Sequence, residues 1–359
     1  MIEIDGSKGE GGGQVLRSAL SLSVATGQPF RIIRIRAGRP KPGLAAQHLA
    51  AVRAAAQVGQ AEVVGARMGS VRIVFRPQRI QPGEYRWDIG TAGSTALVLQ
   101  TVFTPLSLAQ APSQVSITGG THVKWSPCYQ YLEWHWLSFM RRMGFDADLN
   151  LERAGYYPRG GGEIRASIRP AGRQATEPNG PPGRTSAAAT PLNLSDRGRL
   201  LQIRGLSAVS NLPESIAERQ RRQAMSRLEG LDCPIDILVE RMPARGKGTL
   251  LLLLAEFERS QACSFGLGEL GVPAERVADE AADATLAMLD SGAAIDDHLT
   301  DQLLLPLAFA SGPSELRTAR VTQHLLTNAQ VIRAFGAAQV EIEGELGEPG
   351  LVRVRPSMG

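Results

Sequence analysis

Hydrophobic and polar positions fall into three stretches with one rhythm. Each closes on an alternating segment ending in Arg-Pro: VRIVFRP at 71–77, EIRASIRP at 163–170 and LVRVRP at 351–356. A period of two reads as a strand with one buried face. Before the first closure, the pattern predicts a strand at 2–5, a Gly-rich loop, an apolar helix at 14–25, a strand at 29–36, a helix at 44–58 and two strands. Before the second, it predicts a strand near 85–89, a Gly turn, a helix at 94–106, a strand at 114–117, a helix at 129–143 and two strands. The third stretch, 298–356, carries helices near 299–310 and 324–335. The shared unit is strand, helix, strand, helix, strand, strand, too long for a solenoid repeat. It makes the fold an α+β (α/β) sandwich.

The spacing locates an insertion. Pro77 to Pro170 is 93 residues, whereas Pro170 to Pro356 is 186. A small domain at 192–288 therefore splits the third unit of a large domain, 1–185 with 289–359. A flexible linker at 171–191, rich in Pro, Gly, Ser, Thr and Ala, leads into it. Inside the insert the pattern predicts strands at 200–203, 235–239 and 249–257, a charged helix at 213–228 and a helix at 273–289.

Composition changes this picture little. With 43% hydrophobic and 21% charged residues in 359, the chain is ordinary for a globular protein and is not disordered throughout. No apolar run is long enough to cross a bilayer. The first residues, MIEIDGSKGEGGG, lack the apolar stretch of a signal peptide. A soluble, cytoplasmic protein with no membrane partner is expected. Cys128, Cys233 and Cys263 are spaced for neither a disulfide framework nor a zinc site.

Charge matters more by position than by amount. Thirty-nine basic residues against 35 acidic give a net charge of +4, and the only lysines are Lys8, Lys41, Lys124 and Lys247. Arg suits bidentate phosphate contacts, but a GC-rich genome also fills a chain with Arg. On the helix at 216–228, Arg219, Arg221, Arg222 and Arg227 read as a solvated face.

Four segments hold candidate chemistry. The loop Gly6 to Gln14 joins a strand to a helix, where backbone N–H groups can meet phosphate. It matches neither the P-loop nor the dinucleotide fingerprint. Glu10, an acid among glycines, reads as a cation ligand working with nucleotide phosphates, and Arg17 lies one helical turn further on. In the basic stretch 31–43, Arg34 and Arg36 share one face of the predicted strand, opposite Ile33 and Ile35. Arg39 follows in a turn pinned by Pro40 and Pro42, ahead of Gln47 and His48. Gln100, inside an apolar helix, needs a buried partner or a cleft. His324 falls in the first turn of a helix capped by Thr322, where the helix dipole favours the neutral, nucleophilic imidazole.

Taken together, GEGGGQVLRSALSLS, IRAGRPKPGLAAQH, IGTAGSTALVLQT, DQLLLPLA, HLLTN and YYPRGGGEI closely resemble the RNA 3′-terminal phosphate cyclases over nearly the whole chain. The resemblance implies three repeats of the initiation-factor-three C-terminal fold, as in one domain of enolpyruvyl transferases, and a thioredoxin-like insert. It implies ATP-dependent conversion of an RNA 3′-phosphate to a 2′,3′-cyclic phosphodiester, releasing AMP and pyrophosphate. His324 stands at the nucleophile that becomes histidyl-AMP, and Glu10 at the acid that binds Mg²⁺ or Mn²⁺. Arg17, Arg36, Arg39, Gln47 and Gln100 stand at positions lining the nucleotide and phosphate site. Pro127, Tyr131, His298, Leu299, Thr300, Asp301 and Gln302 stand at the adenine pocket. The expected partners are ATP and RNA 3′-phosphate ends, and a homodimer is left open.

The chain departs from the family pattern in places. His298 stands where Tyr is common, Cys128 replaces a Pro, Ala154 replaces a basic residue, and the linker is long. Two other functions share such a fold. A non-catalytic ribosome-assembly factor lacks the adenylylated His, and an enolpyruvyl transferase needs a second large domain.

Overall fold

The computed structural model describes residues 1–171 and 189–357. Most of the expected linker, 172–188, therefore lies outside the described residues. The first sheet is built from β1 (Ile2–Asp5), β2 (Phe30–Ile33), β3 (Glu62–Val64) and β4 (Ile73–Arg76), in the order β1-β2-β4-β3. Helix α1 (Gln14–Thr26) joins β1 to the parallel β2, and α2 (Ala46–Val58) joins β2 to β3. A parallel pair needs such a crossover.

The second sheet repeats this layout. It contains β5 (Glu84–Asp88), β6 (Ser113–Gly119), β7 (Asp146–Arg153) and β8 (Gly162–Arg169), in the order β5-β6-β8-β7. Helix α3 (Thr95–Ser107) crosses between β5 and β6. The single helix expected at 129–143 is instead a π-helical turn, Tyr131–Trp136, followed by α4 (Leu137–Arg142).

The chain next forms β9 (Asn193–Leu194), then β10 (Leu200–Ser210), α5 (Glu214–Leu228), β11 (Ile235–Arg241), β12 (Gly248–Phe257), β13 (Gln261–Leu267) and α6 (Ala274–Asp290). It closes with α7 (Asp297–Leu307), β14 (Ser314–Thr318), α8 (Gln323–Ala334), β15 (Ala338–Glu343) and β16 (Gly350–Pro356). The third sheet has the order β9-β14-β16-β15, with β9 parallel to β14. Residues 193–194, expected inside the inserted segment, thus pair with the third sheet. The fourth sheet is β11-β10-β12-β13, with α5 and α6 against it.

Strand β12, GTLLLLLAEF, shows how the fourth sheet attaches. Leu250, Leu252 and Leu254 join the main core with residues from all three other sheets, whereas Leu251, Leu253 and Ala255 join a second core beneath α5 and α6. Both faces are buried, so the strand carries no alternation. Each of these leucines contributes roughly 1.5–3 kcal/mol.

Helix α1 lies at the centre, packed against α2, α3 and α8, with Val15 to Val24 buried except Arg17. The charged face of α5 is not simply solvated. Arg219 binds Glu275 at 2.7 Å, Gln223 binds Asp279 at 2.8 Å, and Arg227 pairs with Asp283. One α5 row thus meets one acidic row of α6, four residues apart.

The strand expected at 29–36 ends at Ile33. Arg34 and Arg36 both take the left-handed backbone, φ 54°, so they do not share a strand face. Asp5 pairs with Arg34, and Ile35 is fully buried between the two arginines.

Candidate active site at the start of α8

The Gly-rich loop carries Glu10 from the first sheet to α8. The Glu10 N–H donates to Thr327 Oγ1 at 3.3 Å, and that hydroxyl donates to the Gln323 carbonyl at 2.6 Å. Gly9 makes the approach possible. Its φ is 66°, and a Cβ there would lie 2.3 Å from Thr327 Oγ1. Thr322 caps α8 as expected, accepting from Leu325 N at 3.0 Å. His324 therefore sits in the first turn.

His324 Nδ1 pairs with Glu10 Oε2, while Glu10 Oε1 accepts from Arg39 Nη2 at 2.7 Å. The Glu10 hydrogen bond raises the His324 pKa against the effect of burial, with help from the buried Asp301. This corrects the expectation that the helix end alone sets the imidazole's state. A carboxylate in direct contact outweighs a helix terminus. A neutral His324 donating Nδ1–H to Glu10 keeps the Nε2 lone pair available.

A cluster of cations borders this pair. His48 is buried, and its pKa is lowered to about 3 by burial and then by Arg17, Arg36 and Arg39. Its Nε2 lies 2.2 Å from where a Cβ on Gly13 would stand, with Arg17 Nη1 at 2.9 Å. Arg17 donates to Gln14 Oε1 at 2.5 Å, and burial pulls its pKa down to about 10. Arg36 Nη1 donates to the carbonyls of Lys41 and Gly43 at 3.0 and 2.8 Å, which braces the turn carrying Arg39. Cations held this close favour an anion among them.

Arg17 also lines a cleft with Gln14, Gln100, Asp301, Gln302 and Asn328. Gln100 both faces this cleft and finds a partner, donating to Gln302 Oε1 at 2.7 Å. Burial raises the Asp301 pKa to about 7. Gln47 accepts from Ser94 N at 2.6 Å and so fixes the Gly turn before α3.

Of the remaining expected residues, His298, Leu299 and Thr300 lie in the first turn of α7, and Tyr131 reaches the residue that caps it. His298 is exposed and Pro127 half-buried. Tyr131 is buried, its hydroxyl donating to Asp296 Oδ1 at 3.3 Å. Leu299 and Thr300 are buried too, and Thr300 Oγ1 bonds the Asp296 carbonyl and Thr318 Oγ1. These three side chains are not presented to a ligand.

Asn328 was not singled out from the sequence. It accepts from Ser18 Oγ at 2.5 Å and donates to the Asp301 carbonyl at 2.9 Å, tying α1, α7 and α8 together. Its place in HLLTN, one turn after His324, was the available signal.

Among the described residues no group of three or more His, Cys, Asp or Glu side chains converges to hold a metal. No helix among them is long and apolar enough to cross a membrane.

A helix-borne imidazole held by a carboxylate, a glycine loop and clustered guanidiniums define a protein that handles phosphate groups. The family model for RNA 3′-terminal phosphate cyclase matches residues 8–342. A protein from Nostoc punctiforme named RNA 3′-terminal phosphate cyclase is 44% identical over 95% of this chain and 96% of its own. One of the same name from Methanopyrus kandleri is 42% identical over 99% of each, and one from Pseudomonas fluorescens is 45% identical over 95% and 94%. The chain belongs to the RNA 3′-terminal phosphate cyclase family. Among solved structures, the enolpyruvyl transferase NikO from Streptomyces tendae aligns over 99% of this chain and 83% of its own at 10% identity. Its TM-score of 0.20 carries no weight for the fold.

Proposed function

We propose that this chain is an enzyme that uses ATP to convert an RNA 3′-phosphate to a 2′,3′-cyclic phosphodiester, with His324 as nucleophile. The carrying observation is the Glu10–His324 pair beside the guanidinium cluster. His324 Nε2 attacks the α-phosphorus of ATP, and the bond to the β-phosphate oxygen breaks, releasing pyrophosphate. An oxygen of the RNA 3′-phosphate then takes the AMP, breaking the P–N bond and freeing His324. Finally the neighbouring 2′-hydroxyl oxygen loses its proton, attacks the 3′-phosphorus and expels AMP. Only a ribose end can close this ring.

Glu10 holds His324 by Nδ1 throughout, and Arg17, Arg36 and Arg39 bind the phosphates and offset their charge. Gln100, Gln302 and Asp301 line the cleft beside Arg17, and His298 and Pro127 are the more open residues for a base. His324, with Nε2 available, favours catalysis over the non-catalytic assembly factor.

Glu10 also fits the divalent cation that such a reaction uses. Its Oε2 already meets His324 Nδ1 and its Oε1 meets Arg39 Nη2, so a cation would share this carboxylate with them and complete its shell with phosphate oxygens, the usual Mg²⁺ arrangement. Such a cation, Mg²⁺ or Mn²⁺, would neutralise phosphate charge.

We further infer that the three sheets are copies of one unit related to the initiation-factor-three C-terminal fold, interrupted by a thioredoxin-like domain. Their common strand order supports this.

The test is a 5′-labelled RNA bearing a 3′-phosphate, incubated with the protein, ATP and Mg²⁺. Its end should become resistant to phosphatase. An end that stays sensitive with active protein rejects the function.

A further inference from the structure

Two aromatic side chains project almost wholly into solvent: Trp125 is 96% exposed and Tyr157 82%. They are the aromatics among the exposed large hydrophobic residues described, and Trp is rarely left so bare. Both stand on firmly held loops. His122 and Tyr156 meet in a single parallel bridge with their rings 5.3 Å apart, which ties together the two loops that carry Trp125 and Tyr157. The N–H groups of Thr121 and His122 both donate to the Gly155 carbonyl, at 2.9 and 3.1 Å. The His122 ring is locked between Thr121 Oγ1 and Gln130 Oε1, each at 2.7 Å. Trp125 itself is held in the left-handed region at φ 63°, unusual for a bulky residue.

Charge accompanies the rings. Arg159, Arg245 and Lys247 are exposed and make no ion pair among the described residues, although many of the protein's arginines do. Arg245 reaches the same loop, its Cδ 3.3 Å from a Cβ position on Gly161. Lys124, beside Trp125, is paired with Glu269.

The loop is also continuous with the active site. A Cβ on Gly160 would stand 2.8 Å from Ala92 Cα, and one on Gly93 would stand 2.9 Å from Gln47 Cβ. Gln47 precedes His48, which touches Gly13. Contact therefore runs unbroken from the guanidinium cluster to Tyr157.

We propose that Trp125 and Tyr157 form a stacking platform for the bases just upstream of the RNA 3′ end, with Arg159, Arg245 and Lys247 along their phosphates. Single-stranded nucleic acid is held in this way, by aromatic faces and a basic track that tolerate any sequence. The platform rests on the cyclase reading above and extends it from the terminal phosphate to the strand behind it.

The test measures KM for cyclisation of single-stranded RNA 3′-phosphates from two to eight nucleotides long, with self-labelling by ATP as a control for an intact site. In the wild-type protein KM should fall as the RNA lengthens. In W125A/Y157A that gain should vanish, each aromatic removed raising KM for the octamer about fivefold or more. KM for the dinucleotide and the rate of self-labelling should not change, and W125F should restore much of the loss. The variant R159Q/R245Q/K247Q should lower the slope of log KM against log salt by about 2. Wild-type cyclisation with the same KM for the octamer in W125A/Y157A overturns the platform alone. A wild-type protein that labels itself but cyclises no RNA overturns the cyclase reading, and the platform with it.

Discussion

Replacing Glu10 by Gln tests how the nucleophile is set. The amide oxygen can still accept from His324 Nδ1, so orientation is kept while the charge is lost. A hydrogen bond to a charged group is worth about 1.5–3 kcal/mol. His324 is 47% exposed, and solvent reduces that toward about 1 kcal/mol. The sign follows from the pair. Glu10 raises the His324 pKa above its ordinary value, so the imidazole stays protonated to a higher pH than a free histidine. Glu10→Gln should lower that titration. For stability, the interaction is fully present below the pKa of unfolded histidine, while Glu10 is ionised, and fades as pH rises through the raised folded value. NMR titration of histidine-labelled protein reads this directly, with His324→Ala assigning the signal. The expected result is a His324 midpoint above the ordinary value that moves down in Glu10→Gln. A midpoint that stays in place, or rises, refutes the carboxylate's role.

Other perturbations follow from the same geometry. In that titration His48 and His122 should remain neutral down to pH 5, because their pKa values are lowered to about 3 and 4; a protonated His48 at pH 6 would contradict its setting among guanidiniums. Gly13→Ala drives a methyl group into His48 and should weaken ATP binding about tenfold or more, at a folding cost of roughly 1–3 kcal/mol from overpacking; calorimetric titration with ATP checks it. Asn328→Ala orphans the Ser18 hydroxyl and removes the tie to the Asp301 carbonyl, which should lower stability by about 1–3 kcal/mol in urea unfolding. Arg219→Ala removes an exposed ion pair with Glu275 and should leave the urea unfolding midpoint nearly unchanged, with RNA binding unaltered.

Several features of the fold could be read from residue pattern, and the exceptions have physical causes. Helices α1, α3 and α8 announce themselves through apolar stretches, and Thr322 marks the start of α8. Strand β9 has only two residues, too few for any period to register. Strand β13, QACSFGL, mixes small and polar residues and shows no clean alternation. The run of leucines in β12 reads as a strand, but which leucine faces which core depends on the partner layers. Arg34 and Arg36 break an apparent alternation because both adopt a left-handed backbone, which their side chains do not advertise.

The site shows the same division. His324, Glu10, Arg17, Arg36 and Arg39 are legible as separate candidates, each beside a glycine turn or a helix start. Their meeting is not, because Glu10 reaches Thr327 across 317 positions of chain. The engagement of Glu10 with His324, rather than with a cation alone, depends on that contact. Tyr131, Leu299 and Thr300, expected at the adenine pocket, are buried, with Tyr131 and Thr300 bonded to Asp296.

The central claim is that His324 carries AMP during the reaction. The most direct measurement incubates the protein with ATP radiolabelled at the α-phosphate and Mg²⁺ or Mn²⁺, then maps any covalent label by mass spectrometry. An acid-labile AMP on His324, absent from His324→Ala and discharged by RNA bearing a 3′-phosphate, is the predicted result. A protein that takes no label, or one whose label survives His324→Ala, would contradict the account.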